Sequence, residues 1–251
     1  MLPSDVKSTI GQPFIELPVV ESTNIYAMDR LQANLAAHGT VYFAHSQTDG
    51  KGQHGKNWIS EDGNNLIMSV ILDCSFLSVL NQFPLSVMVA VACHDLFSKY
   101  AKDETTIKWP NDLYWCDRKA GGILIENLVR GNKWQWSVVG IGINLNQTHF
   151  PPFLKNPVSL KQITGNHLEP LEIAKELCNS LENRYQQLKN GDFEDLLTYY
   201  NKHLFKIGQP TRLKYQSIAF GCILNGVGAD GELKVIDGLK DSFRFGEVEW
   251  I

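Results

Sequence analysis

The sequence has few cysteines and lacks the patterns of secreted, zinc-bound and membrane-spanning chains. Its five cysteines are scattered, with no Cys-x-x-Cys pair. An odd and separated set argues against disulfides and predicts a reducing, cytoplasmic compartment. The seven histidines show no metal-ligand spacing, so we expect no structural zinc site. No apolar run reaches the ~20 residues that cross a bilayer, and the N-terminus lacks the basic and apolar regions of a signal peptide.

An excess of positive charge and internal repeats are also missing. The formal net charge is −4, which gives no basic field for nucleic acid. Only about a dozen residues precede the first predicted strand, too few for a helix-turn-helix, so we expect no DNA binding. Hydrophobic residues make up 43% and charged residues 20% of the 251 residues. These values are typical of a globular enzyme with one large core, or with a small appended domain.

Hydrophobic periodicity predicts a strand-rich centre with helices grouped around it. The predicted strands cover residues 14–20, 41–47, 66–72, 105–109, 122–129 and 136–146. The predicted helices cover residues 22–37, 85–100, 171–188 and 193–204, and hydroxyl side chains are expected to cap the first. This order is typical of an α+β domain with a central mixed or antiparallel sheet and flanking helices.

The pattern changes after residue 208. Short alternating stretches are separated by glycines, and Asp230-Gly231 is a tight-turn signal. About forty residues of this kind predict a small β-barrel with little stability of its own. We place the boundary between 205 and 208, with a main domain over residues 1–205 and a C-terminal barrel over residues 206–251.

The polar loop over residues 47–58 has the composition of an anion site beside an aromatic platform. Three glycines let backbone amides approach an anion closely, and two lysines add positive charge. Trp58 offers a face on which a base can stack. The glycines and lysines are Gly50, Gly52, Gly55, Lys51 and Lys56. The loop is not a Walker A motif, and alone it is equally typical of a flexible surface turn.

Two further segments place lysines beside turns. Pro110 forces a turn that displays Lys108 and Asp112 together. A lysine suits phosphate, and the carboxylate suits a magnesium ion carried by ATP. Lys119 lies just before Gly122, at the start of an apolar strand open to close ligand approach. Alone, the first segment is typical of an ordinary β-turn and the second of a solvated lysine.

A fourth segment, residues 138–146, is an apolar strand interrupted by Gly140 and Gly142 and followed by Asn144. Backbone and amide groups in such a strand can hold a ligand ring, although a tightly packed core strand has the same pattern.

Taken in order, these segments resemble the biotin protein ligases, which attach biotin to carrier domains of carboxylases. The shared order is Ser-Thr-Asn, the glycine-basic loop, Lys-Trp-Pro-Asn-Asp, Lys-Ala-Gly-Gly-Ile-Leu-Ile-Glu and Gly-Ile-Gly-Ile-Asn. The resemblance extends from about Phe14 to Ile251, and the Lys-Trp-Pro-Asn-Asp block is its most specific part. It implies an SH3-like C-terminal barrel and, without a helix-turn-helix, the ligase-only class.

The resemblance implies a two-step reaction. Biotin and ATP, with Mg²⁺, first form biotinyl-5′-AMP and pyrophosphate. A lysine of a biotin carboxyl carrier protein domain, from acetyl-CoA carboxylase or a related carboxylase, then takes the biotinyl group and AMP leaves. The resemblance also admits a homodimer, since the family contains dimers built on the sheet.

It further implies roles for individual residues. The predicted biotin and nucleotide contacts are Ser22, Thr23, Asn24, Gln47, Gly50, Lys51, Gly52, Gln53, His54, Trp58, Lys119, Gly122, Leu124, Gly140 and Asn144. The predicted catalytic residues are Lys119, Lys51 and Lys108, and Asp112 is the predicted magnesium position. Ser22, Thr23 and Gln47 resemble polar contacts to the ureido ring and its neighbourhood. Trp58 resembles the adenine platform, and Asn144 resembles an adenine or other ligand contact.

The loop departs from the family pattern Gly-Arg-Gly-Arg-x-Gly-Arg. Where the family has arginines, this chain has Lys51, Gln53 and Lys56. The planar guanidinium fork is therefore lost at all three positions, and Gln53 carries no charge. We therefore expect a looser grip on the adenylate. Two other interpretations stay open: a lipoate–protein ligase, which shares the general fold and chemistry, and a non-catalytic nucleotide-binding or adaptor module.

Overall fold

The computed structural model describes residues 9–251, and its centre is a seven-stranded mixed sheet. The strands are β1 (Phe14–Val20), β2 (Val41–Gln47), β3 (Asn65–Asp73), β4 (Thr105–Lys108), β5 (Asp112–Trp115), β6 (Arg118–Arg130) and β7 (Lys133–Asn144). Their order is β1-β2-β3-β7-β6-β5-β4. Only β1 and β2 pair in parallel. Strand β3 is buried at every position but its last, which explains its mostly apolar sequence.

Helices cover both faces of this sheet. They are α1 (Thr23–Gln32), α2 (Phe83–Ala101), α3 (Leu160–Thr164), α4 (Pro170–Lys189) and α5 (Phe193–Lys202). Because side chains alternate along a strand, β2 directs Val41 and Phe43 into the large core that contains α2, α4 and α5. Tyr42 points to the opposite face, where it packs with Ala27 and Leu31 of α1. None of these helices is long and apolar enough to cross a membrane.

A second, antiparallel sheet follows α5. Its strands are β8 (Pro210–Tyr215), β9 (Ile218–Val227), β10 (Leu233–Ile236), β11 (Ser242–Phe243) and β12 (Val248–Trp250), in the order β11-β10-β9-β8-β12. Leu213 and Phe243 belong to the same core as the large sheet, and Trp109 Nε1 donates to the Gly231 carbonyl at 3.1 Å. The predicted α+β class, with flanking helices and a small C-terminal β-structure, is confirmed. The domain boundary at 205 stays a prediction.

Several predicted element boundaries were wrong. Helix α1 ends at Gln32 and not near residue 37, because Asn34 adopts a left-handed φ of 56° and the Leu35 N–H donates back to the Arg30 carbonyl. Ser22 occupies the N-cap position without making the expected side-chain capping bond.

Two elements were missed. Strand β5 was not predicted, and Arg118 and Lys119, which precede the predicted strand over residues 122–129, lie in β6 opposite Trp115 and Tyr114. The strand is only four residues long, too short to show alternation. Helix α3 was also missed, although Ser159 and Gln162 form a capping box at its start.

His94 in α2 makes the fold sensitive to acid. Its ring nitrogens lie 3.1 Å from the Thr105 carbonyl and 3.2 Å from Tyr199 Oη. Burial, helped by nearby His203, lowers the pKa of His94 from 6.5 to about 4. The unfolded chain therefore takes up this proton more readily than the folded one, and stability is lost as the pH falls from 6.5 towards 4.

We expect this histidine to remove up to about 3 kcal/mol from the free energy of unfolding across that range. Chemical denaturation between pH 7 and pH 4 measures the change. The variant His94→Gln, which keeps polar atoms but does not titrate, should show a shallower decline. Parallel pH profiles for the two proteins would contradict the assignment.

Candidate active site

A cleft of about 820 Å³ lies over β6 and β7 and is bordered by loops of the C-terminal sheet. It is lined by every predicted site residue except Gly50. A Cβ at Gly50 would lie 2.5 Å from the Trp58 carbonyl and 2.7 Å from Gln47 Nε2. The Trp58 N–H also donates to the Gly50 carbonyl at 2.8 Å. Gly50 therefore closes the base of the loop from behind the cleft, and the prediction that it contacts the ligand finds no support in this geometry.

One end of the cleft is neutral and polar. The Thr23 N–H and Oγ1 both donate to Gln47 Oε1, at 2.8 and 3.2 Å. These two bonds orient the Gln47 amide, so its Nε2 is the end left to donate to a ligand. The Ser22 hydroxyl makes no capping bond to α1, and it has no other hydrogen-bond partner within residues 9–251. A ligand group that both accepts and donates hydrogen bonds fits this end.

A buried network behind these residues was not predicted from the sequence. Ser69 Oγ lies 2.7 Å from Thr23 Oγ1 and 2.6 Å from Asn24 Oδ1. Asn24 Nδ2 donates to Glu126 Oε2 at 2.8 Å and to the Leu124 carbonyl at 3.4 Å. Both Asn24 Nδ2 donors and one lone pair of its Oδ1 are thus used within the protein, so Asn24 supports the polar end from behind.

The other end of the cleft is cationic. Lys119 Nζ lies 2.7 Å from Asp112 Oδ1, and Lys51 pairs with Asp49. Within residues 9–251 Lys108 has no acidic partner; its Nζ donates to Tyr114 Oη at 3.1 Å. Burial lowers the Lys108 pKa to about 8, against the opposing effect of nearby Asp112. The predicted catalytic lysines and the predicted magnesium position therefore lie in one cleft.

Gly122 marks the point where these groups meet. A Cβ there would lie 3.4 Å from Asp112 Oδ1, and 3.5 Å from both Lys119 Nζ and Trp58 Cζ3. Asp112 is a single carboxylate, and no group of three or more His, Cys, Asp or Glu side chains suited to one ion occurs over residues 9–251. Such a site fits Mg²⁺ that arrives with ATP, because Mg²⁺ commonly binds one or two carboxylates together with phosphates and water.

An aromatic wall and an amide lie beside this cationic end. The Trp58 indole packs so closely on β7 that a Cβ at Gly142 would lie 2.5 Å from its Cε2. Its buried Nε1 has no hydrogen-bond partner among residues 9–251. Asn144 Nδ2 donates to the Val158 carbonyl at 3.1 Å, which leaves Asn144 Oδ1 free to accept from an exocyclic amine.

The C-terminal sheet contributes lining residues that the sequence did not point to. The His54 ring lies 4.9 Å from the ring of Phe245, so the loop that carries Gln53 rests on this sheet. Phe245 and Trp250 line the cleft together with Phe153, which follows β7. Phe245 and Trp250 are distant in sequence from the polar motifs, and no local pattern marks any of the three aromatics.

The model of the Biotin/lipoate A/B protein ligase family matches residues 16–144. This chain belongs to that family. Among its relatives, the bifunctional ligase/repressor BirA of Bacillus spizizenii is 31% identical over 237 residues, covering 92% of this chain and 72% of BirA. The biotin–[acetyl-CoA-carboxylase] ligase of Paracoccus denitrificans is 27% identical over 219 residues, covering 85% of this chain and 90% of that enzyme.

A solved ligase structure of this family has the same architecture. The biotin protein ligase of Aquifex aeolicus in complex with biotin and ATP aligns with a TM-score of 0.79 and 25% identity, covering 94% of this chain and 97% of that one. The predicted resemblance is confirmed. Every predicted site residue lies within the span matched by the family model, whereas Phe245 and Trp250 lie outside it. The roles of the individual residues stay predictions.

Proposed function

We propose that this protein is an ATP-dependent biotin protein ligase. It forms biotinyl-5′-AMP from biotin and ATP and transfers the biotinyl group to a lysine of a biotin carboxyl carrier protein domain. Family membership supports this reaction, as do relatives named as biotin–[acetyl-CoA-carboxylase] ligases. So does the similarity to a ligase solved with biotin and ATP.

The observation that carries the proposal is the division of the cleft into two ends. Gln47 Nε2 and the Ser22 hydroxyl suit the neutral ureido ring of biotin, which accepts and donates hydrogen bonds. The lysines at the other end suit a carboxylate and a triphosphate. The apolar dithiolane of lipoate would leave the polar groups of the first end unpaired, which a hydrogen-bonding site strongly disfavours.

In the first step a carboxylate oxygen of biotin bonds to the α-phosphorus of ATP. The bond from that phosphorus to its bridging oxygen breaks, and pyrophosphate leaves with the electron pair. Lys119 has three donors, so it can keep Asp112 and still bind the biotin carboxylate. Its charge stabilises the negative charge that develops on the phosphoryl oxygens, and bound Mg²⁺ would neutralise the phosphates further.

In the second step the amine of the carrier lysine attacks the acyl carbon. The bond from that carbon to the phosphate oxygen breaks, AMP leaves, and the new amide nitrogen loses a proton. The cleft contributes by holding the mixed anhydride in a fixed orientation. Because Gln53 is neutral, we propose that the loop holds this intermediate less tightly than an arginine would.

We also propose a cytoplasmic location and a carrier domain from acetyl-CoA carboxylase or a related carboxylase. Within residues 9–251 strand β1 has only one neighbour in its sheet. A homodimer built on the sheet would pair through this free edge.

The deciding experiment is calorimetric titration of biotin and of lipoate into the purified protein, followed by pyrophosphate release with ATP and Mg²⁺. We expect tight biotin binding, biotin-dependent pyrophosphate release, and then a mass increase of a carrier domain. Release with lipoate alone would move the chain to a lipoate ligase. No response to either acid would favour a non-catalytic module.

Gly142→Ala should impair ATP use with little effect on folding. The added methyl group would lie 2.5 Å from Trp58 Cε2, so the partly exposed indole must move away from β7. Since stacking of a base on an aromatic ring is worth about 1–3 kcal/mol, we expect the KM for ATP to rise about tenfold.

Steady-state pyrophosphate release measures this change. Gly221→Ala is the matched control, because a Cβ at Gly221 meets no atom of the described residues within 4 Å. An unchanged KM for ATP in Gly142→Ala would show that the adenine base does not use the wall formed by Trp58.

A further inference from the structure

The ammonium group of Lys108 has different contacts from those of Lys51 and Lys119, the other predicted catalytic lysines. Lys51 and Lys119 each form an ion pair with an aspartate. Lys108 Nζ instead lies 4.5 Å from the ring centre of Tyr114 and 4.9 Å from that of Trp250. Aromatic faces attract a cation without carrying a charge, so this ammonium is held while its charge remains available to an anion.

Trp250 comes from the last strand of the C-terminal sheet. It pairs with Leu213 in β8, and its ring lies 5.8 Å from that of Phe205, whose face is in turn 5.5 Å from Lys108 Nζ. Glu249 also lines the cleft, but its carboxylate lies 3.5 Å from Lys214 Nζ, and within residues 9–251 it forms no ion pair with Lys108. The sheet therefore presents a ring to Lys108 and not a negative charge.

We infer that Trp250 is a positioning residue for Lys108, fixing its ammonium where the triphosphate of ATP binds. This inference rests on the proposed function and gives the C-terminal sheet a part in nucleotide binding. A lysine side chain has four flexible bonds. Without the Trp250 ring the ammonium would keep Tyr114 and Phe205 but would be less firmly placed. The phosphate itself would then have to complete its ordering, and ATP binding would weaken.

Two substitutions separate the ring face from simple packing. Trp250→Leu keeps an apolar side chain but removes the π face, and we expect the KM for ATP to rise about tenfold. Trp250→Phe keeps a face and should stay within about threefold of wild type. Both should bind biotin with unchanged affinity. Phe220→Leu is the matched control, since Phe220 lies in the same sheet but outside the cleft.

A double-mutant cycle tests the link to Lys108 directly. In Lys108→Met the ammonium is absent, so adding Trp250→Leu should not raise the KM for ATP any further. Three results would each overturn the inference and leave only a packing role for Trp250. The two substitutions could raise the KM for ATP additively, or Trp250→Phe could raise it as much as Trp250→Leu does. Biotin affinity could also fall together with the melting temperature.

Titration of inorganic tripolyphosphate into the full chain separates this inference from the proposed function. We expect about tenfold weaker binding in Trp250→Leu than in wild type or Phe220→Leu. If wild type binds tripolyphosphate with this dependence yet releases no pyrophosphate with biotin, the ligase proposal fails and the positioning role stands. If the enzyme is active but binding does not depend on Trp250, only the positioning role fails.

Discussion

Lys119→Ala should reduce the rate of biotinyl-adenylate formation by about 100- to 1,000-fold, the loss typical when a donor to developing charge is removed. Lys119 lies in β6 beside the cleft, and its Nζ contacts Asp112. The substitution removes the cation that we propose faces both the biotin carboxylate and the phosphoryl oxygens. It also leaves the carboxylate of Asp112 without its partner, which adds repulsion towards both anionic substrates.

Folding should change little, because the Lys119 side chain is 35% exposed and ion pairs of this kind contribute at most about 1 kcal/mol. Single-turnover pyrophosphate release gives the rate, and thermal melting tests the fold. Lys175→Ala is the control: it breaks an exposed ion pair with Glu172, remote from the cleft. An adenylation rate in Lys119→Ala close to that of wild type would refute the catalytic assignment.

Gly140→Ala should weaken both biotin binding and the fold. The added Cβ would collide with the Asn24 side-chain amide, which Ser69 and Glu126 hold from the other side. Neither the central strand β7 nor this buried amide has room to move. Overpacking of this kind lowers the free energy of unfolding by about 1–3 kcal/mol, and about 2–4 °C of melting temperature follows for each kcal/mol.

The functional loss should exceed the loss of stability. Displaced Asn24 moves Thr23, and Thr23 is the residue that orients Gln47. Losing one or two hydrogen bonds to the ureido ring should weaken biotin binding about 10- to 100-fold. Calorimetry well below the melting temperature measures it, with Gly221→Ala as control. Destabilisation with unchanged biotin affinity would place the ureido ring elsewhere in the cleft.

The sequence predicted those parts of the site whose signal is local. Lys108 and Asp112 flank a forced turn, and the structure places them on the adjacent strands β4 and β5. The glycine loop and Trp58 likewise lie within a dozen residues of one another, and Trp58 lines the predicted cleft. In both segments, the functional side chains and the turn that brings them together lie within a few positions of one another in the sequence.

Contacts between distant segments could not be predicted. Ser69 lies in a strand whose other interior residues are apolar, which signals that a polar group is needed there. Its partners in α1, however, lie 45 and 46 positions away. Trp250 contacts Lys108 only because the C-terminal sheet packs beside β4. The hydrophobic periodicity of the sequence does not predict how two sheets pack together. The end of α1 was misplaced because the left-handed φ of Asn34 is a backbone choice that asparagine permits but does not require.

The cleft draws its lining from residue 22 through to residue 250, and this has a consequence for protein synthesis. Chains grow from the N-terminus at about 5–20 residues per second and fold as they emerge. The biotin end of the cleft therefore emerges from the ribosome well before Trp250 does. We therefore expect a growing chain to complete the proposed biotin end of the cleft before the contact between Trp250 and Lys108 can form.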